Sequence, residues 1–231
     1  MNTLVFLPTY NERENIRALI SGIIKLNPDC YILAVDDSST DGTAQILDRI
    51  AQTESKVSVV HRSGKRGRGI SGREGLKHAL TQKPDYIIEM DADLSHQPEY
   101  IPVFLKEIEN CDVVIGSRMV RGGRVLGRPG MRNFISYLAQ IFSRAILGLK
   151  IKDATSGFRC FKRYVLESLD WDNLISRGPA IVEEMNYHIQ KKGFRVKEVP
   201  ITFTPRIHGR SKLNLLKLCG VFYTLIRLRR S

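Results

Sequence analysis

The sequence predicts an α/β protein built on a mostly parallel sheet with helices on both faces. Apolar runs such as "TLVFLP" (3–8), "YILAVDD" (31–37) and "DYIIEMD" (85–91) are nearly continuous, as strands buried on both faces are. Stretches with apolar residues at helical spacing separate them, so strand and helix alternate through residues 3–117. Polar clusters end these runs at Pro8–Glu12, Asp36-Asp37 and Asp91-Ala92-Asp93, and in such sheets ligands bind beyond the carboxyl ends of strands.

The elements follow in order. After strand 3–8, residues 11–26 read as a helix with the stripe Ile16, Leu19, Ile20, Ile23 and Ile24. Asn11 is its candidate cap, with Glu14 three residues on as in a capping box. Strand 31–37 leads through a turn into a helix ending near residue 52, and "KVSVVHR" (56–62) is the third strand. The Gly- and Arg-rich stretch "SGKRGRGISG" (63–72) reads as a loop before a helix at 73–81. Strand 85–91, helix 98–109 and strand 112–117 complete this half. The second half holds a helix at 131–148, a turn and strand at 154–163, a helix at 179–192 and a strand at 194–204. From Leu213 to Leu228, residues Leu215, Leu216, Leu218, Val221, Phe222, Leu225 and Ile226 follow helical spacing, with Lys217, Thr224 and Arg227 opposite and Arg229-Arg230 behind.

The 231 residues carry 36 Lys and Arg against 24 Asp and Glu, a formal net charge of +12. Such an excess points to an anionic partner (a nucleotide, nucleic acid or an acidic membrane) or to a solubilising surface. No RNA- or DNA-binding signature accompanies the charge, so no specific nucleic-acid partner is expected. Cys30, Cys111, Cys160 and Cys219 are widely and irregularly spaced, which suits reduced thiols of a cytoplasmic protein rather than disulfides or a metal cluster. The opening "MNTLVFLPTYNERE" lacks the basic start of a signal peptide, and no run is long enough to predict a membrane span.

Asp91 and Asp93 ask for chemistry. Residues i and i+2 of a strand share a face, so two carboxylates there repel each other unless a cation or cap relieves them. Mg²⁺ or Mn²⁺ suits such oxygen ligands, typically with substrate phosphates completing the shell. The plainer alternative is an acidic loop capping the next helix.

The motifs "LPTYNERENI", "VDDSSTDGT", "DADLSHQP", "GSR", "DATSGFRCFKR" and "RIHGRSKL" stand in an order that resembles family 2 glycosyltransferases of the Rossmann-like GT-A fold. The resemblance spans about residues 3–215 and is greatest to the branch that moves mannose from GDP-mannose to a dolichyl or other polyprenyl phosphate. It implies a metal at Asp91 and Asp93, with Ser95 a weaker third ligand acting through water, since some members have a metal-ligating Gln there. It places Pro8, Tyr10, Glu12, Val35 and Asp37 on the nucleotide, and Arg206 and Lys212 on its diphosphate. It assigns Arg118, Arg132 and Ser136 to the acceptor phosphate; Arg132 and Ser136 also share a helix face by their i, i+4 spacing. It implies inversion at the sugar. Catalysis would rest on Asp91, Asp93, Arg118 and Arg132, because a phosphate acceptor is already an anion and needs alignment rather than a general base.

Other residues stay open in this reading. The 63–69 loop closes over phosphate or sugar, or is a basic surface loop. Asp153 orients the acceptor side or caps a turn, Glu183 and Glu184 resemble an acidic position near the sugar, and His61, His78, His96, His188 and His208 read as structural or surface residues.

The expected organisation is one GT-A domain over 1–212, with a nucleotide half (1–117), an acceptor half (118–212) and a C-terminal amphipathic helix (213–231). That helix is expected at a membrane interface, packed on the core, or docked on a small membrane-spanning partner subunit. The expected setting is the cytosolic face of a membrane. Alternatives that keep the fold are a UDP-glucose donor or a soluble acceptor.

Overall fold

The computed structural model describes residues 2–127, 130–204 and 215–230; the side chains of 130–135 and 215–219 lie outside the description. In chain order the elements are β1 (Thr3–Thr9), α1 (Ile16–Leu26), β2 (Cys30–Asp36), α2 (Thr43–Thr53), β3 (Val57–His61), α3 (Arg68–Thr81), β4 (Tyr86–Glu89) and α4 (Ile101–Glu107). There follow β5 (Val113–Ser117), β6 (Arg124–Val125), α5 (Gly130–Leu147), β7 (Arg159–Lys162), α6 (Arg163–Glu167), α7 (Ile181–Lys191), β8 (Val196–Pro200), β9 (Thr202–Phe203) and α8 (Leu215–Arg230).

Seven strands form the central sheet in the order β3-β2-β1-β4-β7-β5-β8. All neighbours are parallel except β7, which runs antiparallel to both β4 and β5. The pleat sends alternate side chains of β1 to opposite cores. Leu4 and Phe6 join Leu76 of α3, Val165 of α6, Ile181 of α7 and Leu225 of α8. Val5 and Leu7 join Ile16 and Leu19 of α1, Leu47 of α2 and Phe104 of α4. The chain leaves β1 toward β2 and β3, then returns to place β4 on the other side of β1. This reversal opens a crevice at the carboxyl ends of β1 and β4, the switch point where such sheets bind ligands.

Several expectations are corrected. Helix α1 starts at Ile16, not Asn11. Asn11 takes a left-handed φ of 54°, its Oδ1 accepts the Thr40 amide, and its own amide donates to Ser39 Oγ. The local capping pattern therefore loses to contacts with the segment before α2. Helix α3 starts at Arg68, inside the expected loop. Its glycines serve close packing: a Cβ at Gly69 would lie 2.6–2.8 Å from backbone atoms of residues 176–178. The expected strand at 194–204 divides into β8, in the main sheet, and β9, paired with β6.

Helix α8 packs against α5 and α7. Leu225 and Leu228 are buried in the core, and Phe222 meets Phe142 of α5 edge-on at 4.2 Å. The core thus takes part of the expected membrane-facing stripe, while Tyr223 and Ile226 stay exposed. Among the described residues no helix is long and apolar enough to cross a membrane. Cys30, Cys111 and Cys160 are buried and free.

Candidate active site

Strand β4 stops at Glu89, so Asp91 and Asp93 occupy a bend rather than adjacent same-face strand positions. Two anchors shape the bend. His96, buried and stacked on Phe158 with ring centroids 4.9 Å apart, accepts the Asp91 amide at Nδ1, 3.1 Å away. Burial lowers the His96 pKa, so this accepting ring is neutral. Ser95, fully buried, donates both its amide (3.1 Å) and its hydroxyl (2.5 Å) to Asp93 Oδ1. Ser95 therefore positions Asp93, and its hydroxyl oxygen keeps its lone pairs for the expected weaker, water-mediated role at a metal.

Arg68, on the first turn of α3, donates from Nη1 to Asp91 Oδ1 at 2.7 Å. The Asp91 carboxylate beside it holds the Arg68 pKa well above the ordinary arginine value. Gly157 lets this pair form against backbone, since a Cβ there would stand 2.5 Å from Arg68 Nη2 and 3.5 Å from Asp91 Oδ1. Beneath them the cross-strand pair Glu89 and Arg159 forms a buried ion bridge. Arg159 Nε and Nη1 have no partner among the described residues.

The expected nucleotide residues lie at the ends of β1 and β2. Pro8 is half-buried in β1. The Tyr10 hydroxyl accepts Arg66 Nη1 at 2.6 Å, and the Arg66 guanidinium lies 5.3 Å from the ring centroid. Glu12 accepts the Asn15 side-chain amide at 2.8 Å. Asp37 is ion-paired through Oδ1 with Arg62 and accepts the Gly67 amide at Oδ2, 3.0 Å away. The Arg-rich loop is thereby tied to the tip of β2. The Val35 side chain is 1 % exposed and packed in the core, so contact with a ligand through it is excluded; only its main chain remains for that role.

On the other side of the crevice, Arg118 donates from Nε and Nη2 to the two oxygens of Asp153, at 2.8 and 2.6 Å. Nη2 also reaches Thr155 Oγ1 at 2.8 Å, and Gln140 of α5 donates to Asp153 Oδ1 at 2.5 Å. Burial pushes the Asp153 pKa up, but the bonds and charge of Arg118 outweigh it and hold the carboxyl below its usual value. Asp153 is thus the clamp of Arg118. Ser136 is half-buried on α5, one turn before Gln140. The Arg132 side chain, and Arg206 and Lys212 entirely, lie outside the described residues.

Glu184 is fully buried, and its two oxygens accept the amides of Ile175 and Ser176, each at 2.8 Å. Glu183 is buried beside it on α7, and desolvation pushes its pKa up to about 7 although Arg159 and Arg68 pull it down.

The pattern of Glycosyl transferase family 2 matches residues 4–170. The chain belongs to this family. It is 37% identical over 214 residues to an undecaprenyl-phosphate mannosyltransferase of Micrococcus luteus, spanning 93% of this chain and 88% of that protein. It is 40% identical over 214 residues to a polyprenol monophosphomannose synthase of Mycolicibacterium smegmatis, spanning 92% and 81%. Its fold is similar to that of a mannosyltransferase from Pyrobaculum calidifontis solved with GDP-Man and Mn²⁺, with a TM-score of 0.62, 18% identity, and 98% and 69% of the two chains covered. The α/β fold with a mostly parallel, GT-A-like sheet agrees with the expectation.

The residues of this glycosyltransferase fit a divalent cation of one kind. Among the described residues no group of three or more His, Cys, Asp or Glu side chains can cage a metal. Asp91 and Asp93 offer hard oxygens and His96 Nδ1 is already occupied, so the donor set suits a cation that takes its remaining ligands from substrate phosphates and water. The sequence gives no role to Arg62, Glu89 or Arg159, and it marks Arg66 and Arg68 only as part of the 63–69 loop. The run of basic residues at 62–68 is the signal that extends to Arg62.

Proposed function

We propose that this chain transfers mannose from GDP-mannose to the phosphate of a polyprenyl (dolichyl-type) phosphate, with inversion at the sugar. The observation that carries this reading is the 37–40% identity, over 92–93% of the chain, to two proteins named for mannosyl transfer to or synthesis on a polyprenyl phosphate. Pro8, Tyr10, Glu12, Asp37 and the Val35 main chain receive the nucleoside, within a donor half over 1–117. Asp91 and Asp93 hold Mg²⁺ or Mn²⁺ against the diphosphate, and Arg206 and Lys212 add positive charge there. When bound, the cation neutralises charge that develops on the leaving diphosphate.

Arg118, Arg132 and Ser136, within an acceptor half over 118–212, align the acceptor phosphate. Asp153 and Thr155 fix Nε and Nη2 of Arg118, which leaves Nη1 as the edge offered to that phosphate. The acceptor oxygen is already anionic, so no side chain has to remove a proton from it; alignment and charge stabilisation supply the rate. A lipid acceptor also suits the exposed apolar side chains Tyr137, Leu138 and Ile141 on α5 and Tyr223 and Ile226 on α8, and these support a peripheral position on a cytosolic membrane face.

The test is transfer of radiolabel to a short, detergent-soluble polyprenyl phosphate, from GDP-mannose and from UDP-glucose, with Mg²⁺ or Mn²⁺. Label from GDP-mannose that is abolished by chelation supports the reading. Label only from UDP-glucose replaces the donor, and label only on a soluble acceptor overturns the lipid assignment. Label that appears only after a membrane fraction is added identifies a need for a membrane partner subunit.

A further inference from the structure

A cleft of about 1120 Å³ lies between α3, the loop at 172–180 and α8. Among the described residues, none of those assigned above to donor, metal or acceptor lines it. Two features wall it off from the Asp91–Asp93 rim. Arg62 stands between the spaces, bonded to Asp37 on one side and to Glu74 on the other. The first turn of α3 is pressed onto the 176–178 backbone at Gly69, too closely for any side chain.

The cleft is basic in a way its own carboxylates do not cancel. Glu74 is taken by Arg62 and Asp172 by Lys77, at 2.7 and 3.0 Å. Lys65, Arg73, Arg177 and Arg227 line the cleft, and among the described residues no ion pair involves them. The contact of Arg73 is a long 3.4 Å bond to the Trp171 carbonyl. These cations come from different walls: Arg73 from α3, Arg177 from the loop and Arg227 from α8. Lys65, Arg177 and Arg227 are exposed and Arg73 is half-buried, so a cleft lined by all four attracts an anion from solution.

A second observation points to the same ligand. Ser176 lines the cleft, is 5 % exposed, and its Oγ has no hydrogen-bond partner among the described residues. Its amide is held by the buried Glu184, which fixes the backbone there, and rotation about the Cα–Cβ bond carries the hydroxyl to the cleft. A buried hydroxyl left unpaired is destabilising, and a ligand oxygen that accepts from it removes that cost. A planar carboxylate presents two oxygens in one plane; a tetrahedral phosphate presents several in different directions. Donors arranged on different walls, with guanidinium forks among them, match the phosphate.

We propose that this cleft is a phosphate-binding site separate from the donor and acceptor subsites of the transfer reaction. The phosphate belongs either to a soluble phosphate compound or to the headgroup of an anionic lipid. The two sources share the chemistry of recognition, and α8 bears on both: Thr224 and Arg227 line the cleft while Tyr223, 70 % exposed, and Ile226 stand beside them in water.

The test uses the full chain at fixed ionic strength, with radiolabelled inorganic phosphate in equilibrium dialysis and with vesicles of phosphatidylcholine alone or containing phosphatidic acid in co-sedimentation. Saturable binding is expected, weakened at least tenfold in the double variant Arg177→Gln, Arg227→Gln, several-fold in Ser176→Ala, and unchanged in Asp91→Ala. Circular dichroism checks that the double variant folds; if it does not, Ser176→Ala carries the comparison. Binding of phosphatidic-acid vesicles that inorganic phosphate does not displace assigns a lipid headgroup. Binding of inorganic phosphate without vesicle binding assigns a soluble source. No saturable binding of either probe overturns the site, as does binding that survives the folded variants or disappears in Asp91→Ala.

Discussion

Arg68 Nη1 lies 2.7 Å from Asp91 Oδ1, so a cation of the protein already occupies one oxygen of the expected metal-binding pair. Arg68 and a divalent ion compete for that carboxylate. Both side chains are partly exposed, and such a pair contributes about 1 kcal/mol, a factor of about five in affinity. Arg68→Gln is therefore expected to tighten Mn²⁺ binding by the donor-free protein about fivefold, read as loss of the free Mn²⁺ signal in electron paramagnetic resonance. Asp91→Ala removes the binding. An unchanged or weaker affinity in Arg68→Gln rules out the competition.

That relationship also shows what the sequence could and could not carry. Asp91 and Asp93 stood out because two acids end an apolar run, a local pattern. Their partners are distant: Arg68 is 23 residues from Asp91, and Asp153 is 35 from Arg118. No spacing rule links such pairs. The strands of the parallel half were legible because both faces are buried and their runs are continuous. The antiparallel insertion of β7 was not, since a four-residue strand carries no sign of its neighbours. The glycines of 63–72 read as a loop by propensity, yet tertiary packing against 176–178 makes part of that stretch helix. At Asn11 a local capping signal gave way to bonds with the segment before α2.

Ser95 separates positioning from ligation. Its hydroxyl and amide both donate to Asp93 Oδ1, and a hydrogen bond to a charged group contributes about 1.5–3 kcal/mol. Ser95→Ala keeps the amide bond and loses the hydroxyl. The expected result is a metal concentration for half-maximal transfer raised about tenfold, with turnover at saturating metal within a few-fold of wild type. Asp93→Ala is expected to abolish transfer at any metal concentration. If Ser95→Ala behaves like Asp93→Ala under saturating metal, the hydroxyl does more than orient.

Glu183 gives a pH dependence of defined sign. Its folded pKa of about 7 lies above the ordinary glutamate value of 4.5, and burial is the cause. Between those values the native protein holds a proton that the unfolded chain has released. Stability from this group is therefore fully present below about pH 4.5 and declines as pH rises through 7, by about 3 kcal/mol in all. Glu183→Gln removes the titration. Urea unfolding across pH 4.5–8 should show the variant gaining on the wild type as pH rises, with the gap closing at the acid end. Two parallel stability curves would contradict the assignment.

Helix α8 has two sides whose contributions can be separated. Leu225 is fully buried and Leu228 2 % exposed, whereas Tyr223 and Ile226 are 70 and 41 % exposed. Emptying a buried leucine site costs about 2–5 kcal/mol, while a surface change of this kind usually costs under about 0.5 kcal/mol. Deleting the helix removes both sides at once and cannot tell anchoring from folding. Leu225→Ala is expected to lower the urea midpoint and leave vesicle co-sedimentation of the folded protein intact. The double variant Tyr223→Ser, Ile226→Ser is expected to do the reverse, losing several-fold in vesicle binding at nearly unchanged stability. Unchanged vesicle binding in that variant would remove α8 from the membrane contact and leave the exposed residues of α5 as the surface to test.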